Sequence, residues 1–103
     1  MALNTKTHLG THQFAGPHGD ANSLPMKSGV YIITRLINNQ HEVIDVGESG
    51  SIAQRIPNHD RMRQWQEIAN NGFYVWVLLA TESERMLIEK AHRLAYNPVC
   101  GDR

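Results

Sequence analysis

The sequence has few of the features that would settle a function from composition alone. It contains a single cysteine, Cys100, so no disulfide can form within the chain, and a reducing compartment is expected. No apolar run approaches the length of a membrane span, and residues 1–10 lack the apolar centre of a signal peptide. We therefore expect a cytoplasmic protein that does not associate with a membrane.

Excess charge of either sign is also absent, because ten basic and ten acidic residues cancel. This balance argues against a protein that coats polyanions through its net charge. A local basic groove remains compatible with it, since a nucleic acid responds to the field where it binds. With 103 residues, the chain can form one small domain with a modest core.

The pattern changes near residue 28. Residues 1–27 are rich in Gly, Pro, Asn and His and show no period of 2 or 3.6, which predicts an extended or flexible N-terminal arm. Residues 28–103 carry regular periods and predict one folded domain.

The periodic part predicts three strands and about three helices. The predicted strands are 29–37, 42–46 and 73–81, with Asn38-Asn39 as a hairpin turn between the first two. The predicted helices are 51–56, 59–70 capped by Asn58, and a last one that follows a capping box at 81–84. Five residues of the last helix form one apolar stripe: Leu87, Ile88, Ala91, Leu94 and Ala95. The order predicts an α+β domain with a small three-stranded antiparallel sheet.

The glycine-rich turn VGESG at 46–50 does not bind a nucleotide by either common motif. No lysine follows it as in a P-loop, and the third glycine of the dinucleotide fingerprint is missing. We therefore expect no small organic cofactor.

Five polar side chains are expected to meet at one edge of the sheet. Alternation along paired strands places Tyr31 and Asp45 side by side. The short helix then carries Arg55, and His59 just beyond it, over the same edge. Glu89 lies at the margin of the apolar stripe on the last helix.

Three short motifs in this order resemble those of the GIY-YIG nuclease domain: Gly29-Val30-Tyr31, Asp45-Val46-Gly47 and Leu87-Ile88-Glu89. Arg55 follows Gly47 by eight residues, as in that family, and His59 occupies a position that is often Tyr or His. The resemblance covers residues 28–103 and includes a Tyr-x-Pro at 96–98. One position departs from the pattern, because Asp45 stands where the second motif has its tyrosine.

The resemblance implies a metal-dependent endonuclease that hydrolyses DNA phosphodiester bonds with one divalent cation, Mg²⁺ or Mn²⁺. It implies that Glu89 is the metal ligand, Arg55 grips the phosphate and Tyr31 takes the proton of the attacking water. His59 would act as a relay or a second phosphate contact. Asp45 would help to bind the metal or pair with Arg55.

Three further arginines, Arg61, Arg63 and Arg93, are candidates for contacts with the DNA backbone that do not read sequence. A homodimer would allow both strands to be cut. Because Asp45 replaces a tyrosine and the net charge is zero, the alternative is a catalytically impaired protein of this fold that only binds nucleic acid. The third hypothesis, after the nuclease and the binding protein, is a protein-interaction domain that uses the arm.

Overall fold

The computed structural model describes residues 2–3, 8–9, 12–70, 72–96 and 98–100. In these residues the chain forms seven strands and three helices. The strands are β1 Ala2–Leu3, β2 His8–Leu9, β3 His12–Gln13, β4 Ala15–His18, β5 Gly29–Ile37, β6 Gln40–Ser49 and β7 Phe73–Leu79. The helices are α1 Ile52–Arg55, α2 Met62–Ala69 and α3 Glu82–Tyr96, and a short 3-10 turn covers Ala21–Ser23.

One antiparallel sheet, in the order β1-β6-β5-β7-β4, organises the domain. Its three long strands, β6, β5 and β7, are the three that the sequence predicts, so the α+β architecture is confirmed. The sheet is larger than predicted because β4 pairs with β7 and the two-residue β1 pairs with β6. Strands β2 and β3 pair separately.

The segment predicted as an arm, residues 1–27, contributes part of this sheet. Its residues 15–18 form β4, and the preceding Phe14 is buried. Residues 1, 4–7, 10 and 11 lie outside the described part of the chain. The division of the chain at residue 28 therefore stays a prediction.

Two local predictions are confirmed by backbone and side-chain geometry. Asn38 and Asn39 adopt positive φ values of 51° and 64°, as a tight hairpin turn between β5 and β6 requires. At the start of α3, the Thr81 N–H donates to Glu84 Oε1 (3.1 Å) and the Glu84 N–H donates to Thr81 Oγ1 (3.4 Å). This exchange is the capping box that the sequence predicts.

The two faces of the sheet carry separate apolar clusters because side chains alternate along β5. Tyr31 and Ile33 pack with α1 and α2 on one face. Val30 and Ile32 pack on the other face, which α3 covers. No helix in the described ranges is long and apolar enough to cross a membrane.

The start of α2 differs from the prediction. The helix begins at Met62 with Arg61 as its N-cap, and the Asn58 side chain donates instead to the Gln54 carbonyl oxygen (2.9 Å). Residues 56–61 form a turn after Pro57, which disfavours helix at the residue before it. This turn positions His59 and Arg61 for the contacts described below.

Of the five residues in the predicted apolar stripe of α3, Ile88 packs against the core and the other four are exposed. Leu87 and Leu94 are 72% and 79% exposed, whereas His92 is buried against the sheet. The side of the helix that packs carries Arg85, which pairs with Glu48 of β6 (2.6 Å). The face of α3 that lies on the sheet therefore combines apolar packing of Ile88 and Tyr96 with an ion pair, and differs from the face that the stripe predicts.

Candidate functional site

The register of β5 and β6 places Tyr31 directly opposite Gly47. The tyrosine ring lies across the glycine, so that a Cβ on Gly47 would overlap the Tyr31 Oη and Cζ and lie 2.8 Å from Cε1. Only glycine permits this close approach of a ring to the backbone. The glycine of the second motif thus makes room for the tyrosine of the first.

The Tyr31 hydroxyl is hydrogen-bonded to His59, with 2.7 Å between Oη and Nε2. The other ring nitrogen, Nδ1, lies 3.0 Å from the backbone nitrogen of Arg61. Because a backbone N–H can only donate, Nδ1 accepts and the imidazole proton resides on Nε2. His59 therefore donates its hydrogen bond to Tyr31 Oη.

Burial governs the electrostatics of this pair. Burial, followed by the positive charges of Arg55 and Arg61, lowers the pKa of His59 to about 4. The imidazole is therefore neutral at pH 7, and its 3.1 Å approach to Asp60 Oδ1 is not an ion pair. Burial, followed by the charge of Asp45, raises the pKa of Tyr31 to about 12, while Arg55 opposes this rise.

Arg55 ends α1 beside this pair. Its side chain is 41% exposed, and Nη2 donates to the exposed Asp60 carboxylate at 3.3 Å. An exposed ion pair of this kind contributes at most about 1 kcal/mol, so an incoming anion can displace it readily. Arg55 thus offers a guanidinium to solvent next to the Tyr31 hydroxyl.

Asp45 is fully buried on the same face of β6 as Gly47, two residues earlier. Its Oδ2 accepts hydrogen bonds from Arg61 Nε (2.7 Å) and Trp65 Nε1 (2.7 Å). Its Oδ1 accepts from Arg93 of α3 and from the backbone N–H of Val46. The arginines that pair with Asp45 are thus Arg61 and Arg93 rather than Arg55.

Glu89 lies on α3, and its side chain is 24% exposed. It accepts a hydrogen bond from Arg93 Nε at 3.2 Å. Burial raises the pKa of Glu89, Arg93 opposes the rise, and the negative charges of Glu48 and Asp45 add to it. The carboxylate therefore lies in a partly dry region that already holds other negative charge.

The surroundings of Glu89 fit a single hard cation. The partly exposed carboxylate of Glu89 is the kind of oxygen ligand that such a cation takes, since Mg²⁺ commonly uses one or two carboxylates and keeps several waters. Within the described ranges, no group of three or more His, Cys, Asp or Glu side chains converges to form a complete metal cage.

The three arginines predicted to contact DNA lie in different environments. Arg63 is 91% exposed and approaches Glu67 at 3.6 Å. Arg61 and Arg93 are partly buried and hold Asp45. Arg63 is therefore the member of this set with an open side chain.

Trp65 belongs to the site but was not among the residues that the sequence indicated for it. The indole is buried, and its N–H also donates to the Asp45 carboxylate. A signal was available, because an aspartate inside a strand needs donors, and Trp65 lies four residues after Arg61.

No protein-family model matches the chain, and a search of curated proteins finds no match either. The solved structures do give matches. Crystal structures of the GIY-YIG N-terminal endonuclease domain of UvrC from Thermotoga maritima, as point mutants bound to the catalytic divalent cation, superpose with TM-scores of 0.63 and 0.62. The matches cover 81% of this chain and 91% of that domain, at 17% and 18% sequence identity. The chain therefore has the GIY-YIG fold, and the resemblance seen in its motifs is confirmed at the level of the fold.

Proposed function

We propose that this protein is a metal-dependent endonuclease that hydrolyses phosphodiester bonds in DNA. The observation that carries the proposal is the 2.7 Å hydrogen bond between Tyr31 Oη and His59 Nε2, with Arg55 beside it, on a fold shared with a known endonuclease domain. A buried tyrosine, a neutral histidine and an open guanidinium on one face of the sheet are suited to phosphoryl transfer.

Arg55 binds the scissile phosphate in this proposal. A guanidinium forms two parallel hydrogen bonds to phosphate oxygens and offsets the charge that develops on them. To bind the phosphate, Arg55 has to break its exposed ion pair with Asp60.

Tyr31 acts in its ionised form: its own phenolic proton is lost to solvent first, and the tyrosinate then accepts the proton of the attacking water. Its raised pKa makes the tyrosinate scarce at pH 7 but strongly basic once formed. His59 stabilises that tyrosinate by donating from Nε2 to Oη, because a hydrogen bond to the charged form favours it. The neutral histidine is therefore a donor and positioning partner in this step, which is narrower than the relay expected from the sequence.

Glu89 holds the cation. A bound Mg²⁺ or Mn²⁺ would polarise the phosphate and stabilise the leaving oxygen. The UvrC domain structures contain a catalytic divalent cation, which supports a divalent metal here without distinguishing the two ions.

Arg63 anchors the DNA backbone away from the reaction, since its side chain is open to solvent. With one such domain, cutting of both strands needs either two binding events or a dimer of the chain.

One observation favours the alternative of a binding protein without catalysis. Asp45, at the place of the second motif's tyrosine, is fully occupied by Arg61, Trp65 and Arg93. If the tyrosine that it replaces is indispensable, the protein binds DNA and does not cut it.

The experiment that tests the proposal is nicking of supercoiled plasmid in Mg²⁺ and in Mn²⁺, with EDTA as the blank. Glu89→Gln removes the charge of the metal ligand with little change of shape, and cleavage should fall to the EDTA level. The matched control is Glu82→Gln, an exposed carboxylate in the first turn of the same helix, which should cut as the wild type does.

Cleavage that persists in Glu89→Gln would reject Glu89 as the metal ligand and indicate a contaminating nuclease. DNA binding that weakens steeply with salt, without any cleavage across plasmid, single-stranded and branched substrates, would replace the nuclease by the binding protein.

A further inference from the structure

We infer that Asp45 is a positioning residue that sets both halves of the site at once, the Tyr31–His59 pair through Arg61 and Glu89 through Arg93. This inference deepens the proposed function and rests on it for the roles of those groups. It does not give Asp45 a place among the groups that touch the DNA or the metal.

The first half runs from Asp45 to the histidine. Asp45 Oδ2 holds the side chain of Arg61 at 2.7 Å, and the backbone N–H of Arg61 donates to His59 Nδ1 at 3.0 Å. Arg61 is also the N-cap of α2, so its anchored side chain fixes the turn that carries His59. Asp45 thereby keeps the imidazole proton on Nε2.

The competing tautomer has a ready partner. Asp60 Oδ1 lies 3.1 Å from His59 Nδ1, so that a proton on Nδ1 would be accepted there if the Arg61 N–H moved away. In that tautomer, Nε2 would accept from Tyr31 instead of donating to it, and it would no longer stabilise the tyrosinate. The anchoring of Arg61 by Asp45 therefore decides the direction of the 2.7 Å hydrogen bond.

The second half runs from Asp45 to α3. The guanidinium of Arg93 contacts Asp45 through Nη2, donates to Glu89 through Nε (3.2 Å) and reaches the Cys100 carbonyl oxygen (3.2 Å). The charge of Arg93 is thus shared between two carboxylates. If Asp45 lost its charge, Arg93 would be left to neutralise Glu89, and Glu89 would hold a cation less well.

One carboxylate can position both the Tyr31–His59 pair and Glu89 because donors from two helices reach it. Asp45 lies within β6, where donors reach it from Arg61 and Trp65 at the start of α2 and from Arg93 of α3. Its four donors satisfy a charge that burial would otherwise make costly. A tyrosine at this position would bring no charge to hold two arginines.

The test uses two readouts that need no DNA cleavage. Long-range ¹H–¹⁵N NMR spectra of the full-length protein, with ¹⁵N incorporated into its histidine rings, report the tautomer of His59. The His59 signals are identified as those that disappear in His59→Gln. Calorimetry with Mn²⁺ alone reports cation binding. Asp45→Asn should shift the His59 proton from Nε2 towards Nδ1 and weaken Mn²⁺ binding by about tenfold, as loss of a supporting partner of a metal ligand commonly does.

Two further variants separate the halves and serve if Asp45→Asn does not fold. Arg61→Lys keeps the charge but loses the Nε contact, and it should change the tautomer alone. Arg93→Lys should change Mn²⁺ binding alone. The control is Glu42→Gln, which weakens a more exposed ion pair with Arg35 (2.6 Å) three residues earlier in β6 and should change neither.

The inference fails if Asp45→Asn folds and leaves both readouts as in the wild type, or if the Lys variants change neither readout. If Asp45→Asn changes both the His59 tautomer and Mn²⁺ binding while the wild type cuts no DNA, the inference is supported. Only the proposed nuclease function is then rejected. If the wild type binds no Mn²⁺, the Glu89 half is overturned and the tautomer alone decides the His59 half.

Discussion

The ring of Tyr31 lies directly over the backbone of Gly47, closer than any side chain at position 47 would allow. The contact fixes the ring against β6 and aims its hydroxyl at His59, 2.7 Å away. The spacing between the two motifs is therefore a packing relationship as well as a sequence pattern.

Replacing Gly47 by alanine should displace the tyrosine. The added Cβ would overlap the ring, and overpacking of this kind costs about 1–3 kcal/mol in the free energy of unfolding. Plasmid nicking should also be lost, because the Tyr31 hydroxyl would leave His59. Urea unfolding and nicking assays measure the two effects.

The matched control for this change is Gly50→Ala in the same loop. A Cβ there would meet only Arg85 Nη2, at 3.9 Å, so unfolding and nicking should both remain as in the wild type. A Gly47→Ala protein as stable and as active as Gly50→Ala would contradict the packing argument.

The pH dependence of cleavage should follow the tyrosine. Because burial and Asp45 raise the pKa of Tyr31 to about 12, the ionised fraction increases about tenfold per pH unit throughout the neutral and mildly alkaline range. Initial rates of nicking in Mg²⁺ should rise steadily between about pH 7 and 10. Tyr31→Phe should be inactive at every pH, and a wild-type profile that levels off near pH 7 would assign the proton transfer to another group.

Stability should fall in acid because His59 is buried and neutral. Its pKa is lowered to about 4 in the folded protein and is near 6.5 when unfolded, so the unfolded chain binds the proton first. The stability that this histidine contributes is complete above pH 6.5 and is lost as the pH falls towards 4, with a ceiling of about 3 kcal/mol. Urea unfolding at each pH measures the slope.

His59→Gln is the control for that slope. Glutamine can still donate to Tyr31 Oη and does not titrate, so the variant should lose less stability between pH 6.5 and 4 than the wild type. His41, whose pKa burial also lowers, contributes a slope of the same sign that the variant retains. Equal slopes in the two proteins would show that His59 is not the titrating group.

The strands were predictable because their signals are local. The β-branched residues of 29–37, the Asn38-Asn39 turn and the capping box before α3 each act over a few residues. The rotation of α3 was not predictable in this way. On its packed side α3 forms ion pairs of Arg85 with Glu48 and of Arg93 with Asp45, which join residues 37 and 48 positions apart.

The candidate site shows the same contrast between local signals and long-range contacts. The grouping of Tyr31, Arg55 and His59 followed from strand alternation and from motif spacing, although they lie on a face of the sheet over its central strand. The partners of Asp45 did not, because Arg61 and Arg93 both looked like free surface cations in the sequence, and only the tertiary structure brings them to a buried carboxylate.

The exposed stripe of α3 should tolerate polar residues. Leu94 is 79% exposed, so Leu94→Glu should change the free energy of unfolding by less than about 0.5 kcal/mol. The comparison is Ile52→Ala in α1, a fully buried residue, which should cost about 2–5 kcal/mol. A large loss in Leu94→Glu would mean that the stripe packs against another surface in solution.

Cys100 should report the docking of the chain after α3. Its thiol is fully buried, and burial raises the thiol pKa from 9.0 to about 11, which reduces the thiolate about a hundredfold. Its backbone N–H donates to the Ile44 carbonyl oxygen (3.0 Å), and its own carbonyl oxygen accepts from Arg93. A thiol reagent should therefore react slowly with the native protein and rapidly in urea.

Arg93→Lys should accelerate the native reaction because it weakens the contact with the Cys100 carbonyl, whereas Arg63→Lys, on the open surface, should not. Rapid labelling of the native wild type would mean that this segment is not docked on β6.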